Sequence, residues 1–138
     1  MSDVILNSIT AIMFSLGTPI KGTEDFKLDK YAAGTQAIKL IDSYEIYQSC
    51  KPARLPLMFQ LVPPANGTVT FELAEIFPAF EKGHSHFGCN DIRTPGIKAV
   101  YSARTGFLGS DSFSFLVVYL NGQARRYTTK VTIWPDIH

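Results

Sequence analysis

The sequence predicts an all-β fold, a two-layer sandwich with Greek-key connections, and three observations carry the prediction. Short runs alternate apolar and polar residues with a period of two, turn residues stand between them, and at most one segment has helical periodicity. The 138 residues suit one domain. A chain of that length buries roughly two-thirds of its unfolded surface without help from a metal. With 13 Lys+Arg against 12 Asp+Glu it is close to neutral, which argues against a nucleic-acid-binding surface and against an acidic tail. Ten Phe, six Tyr and a 46% hydrophobic share argue against disorder.

The first element is open. Val4 to Leu16 puts Ile5, Ile9, Ile12 and Leu16 on one helical stripe, with Ser2 or Asp3 to cap it and Gly17 to end it. Its β-branched residues keep a strand open. As a signal remnant it lacks a basic leading region, and it is too short and polar to span a bilayer. Residues 18–34 read as a loop with a short strand at Glu24 to Leu28. Ala37 to Ile41 and Tyr44 to Tyr47 are short strand candidates. Leu55 to Val62 puts Leu55, Leu57, Phe59 and Leu61 on one face, with Pro56 marking a strand start or a sheet edge.

Pro63 to Gly67 is a dense turn signal. After it, Val69, Phe71 and Leu73 face inward, so the runs on either side of the turn are expected to form a hairpin. Ala74 to Gly96 is a long connection whose Ile76, Phe77, Phe80 and Phe87 predict folding over the sandwich. Ile97 to Ala103 is a strand, as are Ser112 to Leu120 and Gln123 to Trp134. For the last pair a two-residue Asn121-Gly122 loop would set Phe113, Phe115 and Val117 opposite Lys130, Thr128 and Arg126. A three-residue loop with Gly122 left-handed keeps the apolar rows on one face, and is the expectation. The whole is one domain over 1–138, with its scaffold at about 36–134 and the long loop at 74–96.

The run Tyr101-Ser-Ala-Arg-Thr-Gly106-Phe107-Leu-Gly109-Ser-Asp111-Ser-Phe113-Ser-Phe115, then Gly122 and Val131-Thr-Ile133, resembles bacterial extracytoplasmic Ig-like domains of the cadherin-like and VCBS type. Pro64-Ala-Asn-Gly67-Thr-Val69 resembles the turn that precedes that run in the same family. The likeness spans about Leu55 to Trp134, with Ala74 to Gly96 inserted, and Ala103 stands where the family has proline. It implies an Ig-like sandwich in an extracytoplasmic, periplasmic or secreted, setting. In physical terms Gly106 and Gly109 permit turns, Phe107 plugs the sandwich end, and Asp111 accepts backbone N–H groups. A calcium role for Asp111 is the alternative, although no acidic cluster surrounds it.

Cys50 and Cys89 are read as one disulfide, closing a loop that is worth about 3–4 kcal/mol and that needs an oxidising compartment. Two free buried thiols are the competing reading. His84-Ser85-His86 followed by Cys89 offers two imidazoles for zinc or copper, but two ligands are not a site. No nucleophile motif, P-loop or dinucleotide fingerprint occurs. Arg125, Arg126 and Lys130 read as edge-strand charges that discourage sheet pairing.

The reading is therefore a non-catalytic binding or structural module without cofactor or membrane span, of open oligomeric state, with a protein or glycan as partner and no nucleic acid. Its expected contact residues are Phe77, Phe80, His84, His86 and Phe87 in the long loop. The alternative is a secreted copper- or zinc-binding protein that uses His84 and His86.

Overall fold

The structure is a computed structural model that describes residues 21–34 and 37–136. The 4–16 segment, with its helix, strand and signal readings, lies outside the described residues. Within them the chain is all-β: β1 (Gly22–Ala33), β2 (Ile38–Ser43), β3 (Leu57–Val62), β4 (Gly67–Ile76), β5 (Thr94–Ala103), β6 (Gly109–Val118) and β7 (Gln123–Trp134), with one 3-10 turn at Phe87–Cys89. Two sheets, ordered β1-β7-β6-β3 and β2-β5-β4, make a β-sandwich. Among the described residues no helix is long and apolar enough to cross a membrane.

The period-2 rows decide what lies between the sheets. Phe113, Phe115 and Val117 of β6 join Tyr127, Val131 and Ile133 of β7, and meet Leu40, Ala99 and Tyr101 from the other sheet. Rings cross the interior in a column: Phe26 stacks on Tyr127 at 5.4 Å, Tyr127 on Phe115 at 5.2 Å, and Phe115 meets Phe71 at 5.9 Å. Burying each such side chain stabilises by about 1.5–3 kcal/mol. Residues of opposite parity on β6, Leu116 and Val118, form a second apolar cluster on the outer face with Leu61 and Ala124.

The register of β6 and β7 follows the three-residue loop. Phe113 faces Thr129, Phe115 faces Tyr127, and Val117 faces Arg125. Tyr119 N–H donates to the Gln123 carbonyl, and Gly122 N–H to the Tyr119 carbonyl, both at 2.9 Å. Gly122 has a φ of 87°, the left-handed conformation that this loop requires.

Other expectations change. β3 and β4 are not a hairpin, because β3 pairs with β6 and β4 with β5, so the 63–66 turn crosses between sheets. Pro63 and Pro64 have no N–H to give a tight hairpin turn, and the next two amides point at Asp111 instead. β3 is the edge that Pro56 signalled. Leu73, expected inward, is 75% exposed: β4 is the outer strand of its sheet, and the apolar row passes to the other face at buried Ile76, against Gly96. β1 is twelve residues long and runs parallel to β7. Its inward row, Phe26, Leu28, Lys30 and Ala32, is only half-buried and is broken by a lysine, which hid it as a strand. Tyr44 to Tyr47 forms only the bridge from Ile46 to Pro52.

One end of the sandwich is closed by the motif around Asp111. This carboxylate is buried, and its Oδ1 accepts the Ala65 and Ser112 amides at 3.0 Å each. Its Oδ2 accepts the Asn66 amide and the Tyr101 hydroxyl, at 2.9 Å each. With four donors on two oxygens, Asp111 serves as a turn anchor and not as a calcium ligand. Gly67 lies so close to Tyr101 that a Cβ would stand 2.8 Å from its ring. Phe107 plugs this end, with the Arg104 guanidinium 5.4 Å from its ring centre. Gly106 and Gly109 take the positive φ values that the turns demand.

Candidate binding groove

The opposite end is open, and the chain assembles a groove there from four separate elements. After β2 the segment from Tyr44 passes Cys50 and turns toward β3. The connection from β4 to β5, now shortened to 77–93, passes beside it. A disulfide of Cys50 to Cys89, with Cα atoms 5.3 Å apart, ties the two together. The residue that makes the turn is Cys50 itself, at φ 69°. The Tyr44 hydroxyl accepts the Ala79 amide at 2.8 Å. Asn90 clamps Phe80, accepting its N–H at 3.0 Å and donating to its carbonyl at 2.9 Å.

These ties fix an aromatic wall. Phe80 meets Tyr44 edge-on at 5.8 Å and stacks on His84 at 4.6 Å. His86 lies 5.3 Å from Phe80 and 5.2 Å from His84. The loop is turned here, not extended, and His84 Nδ1 accepts the His86 amide at 3.0 Å. Ser85 Oγ stands 3.1 Å from His86 Nδ1.

The facing wall comes from the β6–β7 loop and from the start of β1. Ser43 donates to the Tyr119 hydroxyl at 3.3 Å, and the Leu120 amide donates to Glu45 Oε2 at 2.8 Å. Beyond its carbonyl bond to Tyr119, Gln123 donates its backbone amide to Asn121 Oδ1 at 2.8 Å and its Nε2 to Glu24 Oε1 at 3.0 Å. Arg125 spreads between Phe26, at 5.2 Å, and Tyr119, at 5.4 Å. Together the walls enclose about 640 Å³ that is open to solvent, a volume typical of small-molecule sites.

Burial sets the electrostatics. It raises the Glu45 carboxyl above its ordinary value, opposed by the Leu120 amide and by Arg54. It raises the Tyr119 hydroxyl as well, against Ser43 and Arg125. For Arg125 burial acts downward, but Tyr127, Tyr119 and Glu24 outweigh it and hold the guanidinium above its ordinary value.

Of the five residues expected in the contact loop, Phe80, His84 and His86 line the groove. Phe77 and Phe87 do not; both are exposed, and Phe77 lies under Arg93 at 5.1 Å. Among the described residues no group of three or more His, Cys, Asp or Glu could hold a metal ion, and Cys89 is spent in the disulfide. Among the described residues, the imidazoles of His84 and His86 bond the His86 amide and Ser85 Oγ. The basic group on β7 is corrected too: β7 lies between β1 and β6 and is not an edge, Arg125 is drawn into the groove, and Arg126 pairs with Asp25 at 2.5 Å.

Glu24, Asp42, Tyr44, Glu45, Tyr119, Asn121, Gln123 and Arg125 were not anticipated as groove residues. The length of the 74–96 connection pointed to half of the site. Nothing local could place Glu24, because β1 reaches the groove only through its parallel pairing with β7.

No protein-family model and no curated protein matches the chain. Among solved structures it is similar to the one titled "Solution Structure of Amebosin", at 9% identity and a TM-score of 0.38, over 79% of this chain and 95% of that one. At that distance the likeness carries no argument about fold or function.

Proposed function

We propose that the chain is a non-catalytic, extracytoplasmic binding module of Ig-like type whose ligand occupies the groove at the disulfide-tied end. The observation that carries this reading is the groove itself, a polar and aromatic concavity whose walls are pinned by a crosslink and by bonds to backbone. Such preorganisation lowers the cost of binding. The strand order supports the Ig-like part: β2-β5-β4 and β7-β6-β3 follow the neighbours in immunoglobulin sandwiches, with the first strand added beside the last. The disulfide supports an oxidising compartment.

The test is a fragment screen read by NMR shift mapping on the intact protein. Fragments are expected to perturb Tyr44, Glu45, Phe80 and Tyr119 together. Hits that gather instead around Phe77 and Phe87, or that scatter without a cluster, overturn the assignment. The competing metal reading is separated by elemental analysis of purified protein with and without His84 and His86, where stoichiometric metal lost on mutation would replace this proposal.

A further inference from the structure

Given the groove as the ligand site, we infer that its ligand is a short, neutral, multiply hydroxylated chain: an oligosaccharide. This rests on the reading above and sharpens it to a chemical class. Three features of the groove point the same way.

The first is charge balance. The carboxylates Glu24, Asp42 and Glu45 are each answered by a cation. Arg125 is held near Glu24, Lys39 donates to Asp42 at 2.8 Å, and Arg54 acts on Glu45. Three carboxylates and one guanidinium line the groove, and each carboxylate is offset by a cation, so an anionic ligand is disfavoured and a cation gains little.

The second is the kind of polar atom. Each group is fixed through one atom and keeps another outside that bond: Glu45 binds Leu120 through Oε2, Glu24 binds Gln123 through Oε1, and Asn121 uses Oδ1. Oriented carboxylate oxygens and amides, mixed as acceptors and donors, suit hydroxyls, which both give and accept.

The third is the aromatic wall of Tyr44, Phe80 and His84. A ring face is negative and attracts the weakly positive C–H groups on one face of a sugar ring. Because the groove is open, a bound chain can extend out of it.

The experiment is saturation-transfer and shift-mapping NMR on the intact, oxidised protein with cellotriose, chitotriose and mannotriose. A Gly-Tyr-Lys tripeptide serves as the charged comparison. The expected result is transfer to at least one trisaccharide with shifts at Tyr44, Phe80 and Tyr119, and an affinity unchanged within about twofold between low and high salt. Phe80→Ala should weaken that affinity roughly tenfold or more. Glu45→Gln, which is nearly isosteric and leaves Phe80 in place, should weaken it without lowering the unfolding midpoint, which separates ligand contact from misfolding. If the tripeptide shifts the groove and none of the trisaccharides does, the saccharide class is wrong and the groove reading stands. Failure of all four probes overturns the saccharide class as well, and if the fragments also miss the groove, the groove reading falls with it.

Discussion

The two ends of this sandwich solve the same problem in opposite ways. At the Asp111 end the turn that joins β3 to β4, Tyr101 of β5 and Ser112 of β6 converge on one buried carboxylate, and every lone pair used there is used internally. At the groove end the connections are longer, their polar groups are tied one atom at a time, and a disulfide takes the place of a buried anchor. The strands between them are shared, since β6 begins beside Asp111 and ends at the groove. One end therefore closes the fold while the other is left with surface to offer. Stability and recognition are separated along the strand axis, the usual division between a scaffold and its loops.

Breaking the closed end gives the largest effect. Asp111→Ala strands the Tyr101 hydroxyl, fully buried, two amides of the 63–66 turn and the Ser112 amide of β6. At 1–3 kcal/mol for each stranded donor, the loss is on the order of 5 kcal/mol in chemical denaturation. Burial, followed by the bond to Asp111, raises the Tyr101 hydroxyl above its ordinary value, so it stays a donor across the accessible pH range. A loss under about 2 kcal/mol, within the range of an ordinary surface or core change, would mean that water replaces the carboxylate. The two ends would then differ less than their bonding suggests.

Removing the crosslink at the open end comes next. A double Cys50→Ser, Cys89→Ser variant gives up a loop of sequence separation 39, about 4 kcal/mol on the chain-entropy account. Hydrogen exchange tells where the effect falls. Protection should drop at the amides of Phe80, Cys89 and Asn90, which are bonded within the tied loops, while β6 and β7 keep theirs at conditions that leave the fold intact. Equal loss of protection in β6 and β7 would show that the disulfide holds the whole sandwich and not one end.

The same division explains what the sequence revealed. The Asp111 end was legible because its parts are local: a glycine-rich turn, an acid and an alternating aromatic row lie within fifteen residues, from Tyr101 to Phe115. The register of β6 on β7 was legible because a slip by one residue turns Phe113, Phe115 and Val117 toward water. The groove was half legible. Phe80, His84 and His86 stood out in a long connection, but Glu24 on the facing wall arrives through a pairing that leaves no local mark, parallel β1 on β7. At the other end the crossing from β3 to β4 was hidden in the same way. An apolar row, a turn and a second apolar row read the same whether the strands pair with each other or cross between sheets, and only the direction of the turn's donors tells them apart.

The smallest effect compares two carboxylates. Asp111 meets four donors, whereas Glu45 meets the single amide of Leu120 in a partly buried place where desolvation dominates, so its carboxyl rises above the ordinary 4.5. The folded chain then holds this proton more tightly than the unfolded chain does. By linkage, the contribution of Glu45 to stability is fully present below 4.5 and is lost as pH rises through the raised folded value. Carboxyl-detected NMR should place the Glu45 midpoint above 4.5, and Glu45→Gln should remove that part of the pH dependence of unfolding. A midpoint at or below 4.5 would mean that the Leu120 amide and Arg54 outweigh burial. Glu45 would then ionise at lower pH, and its balance with Arg54 would hold over a wider range.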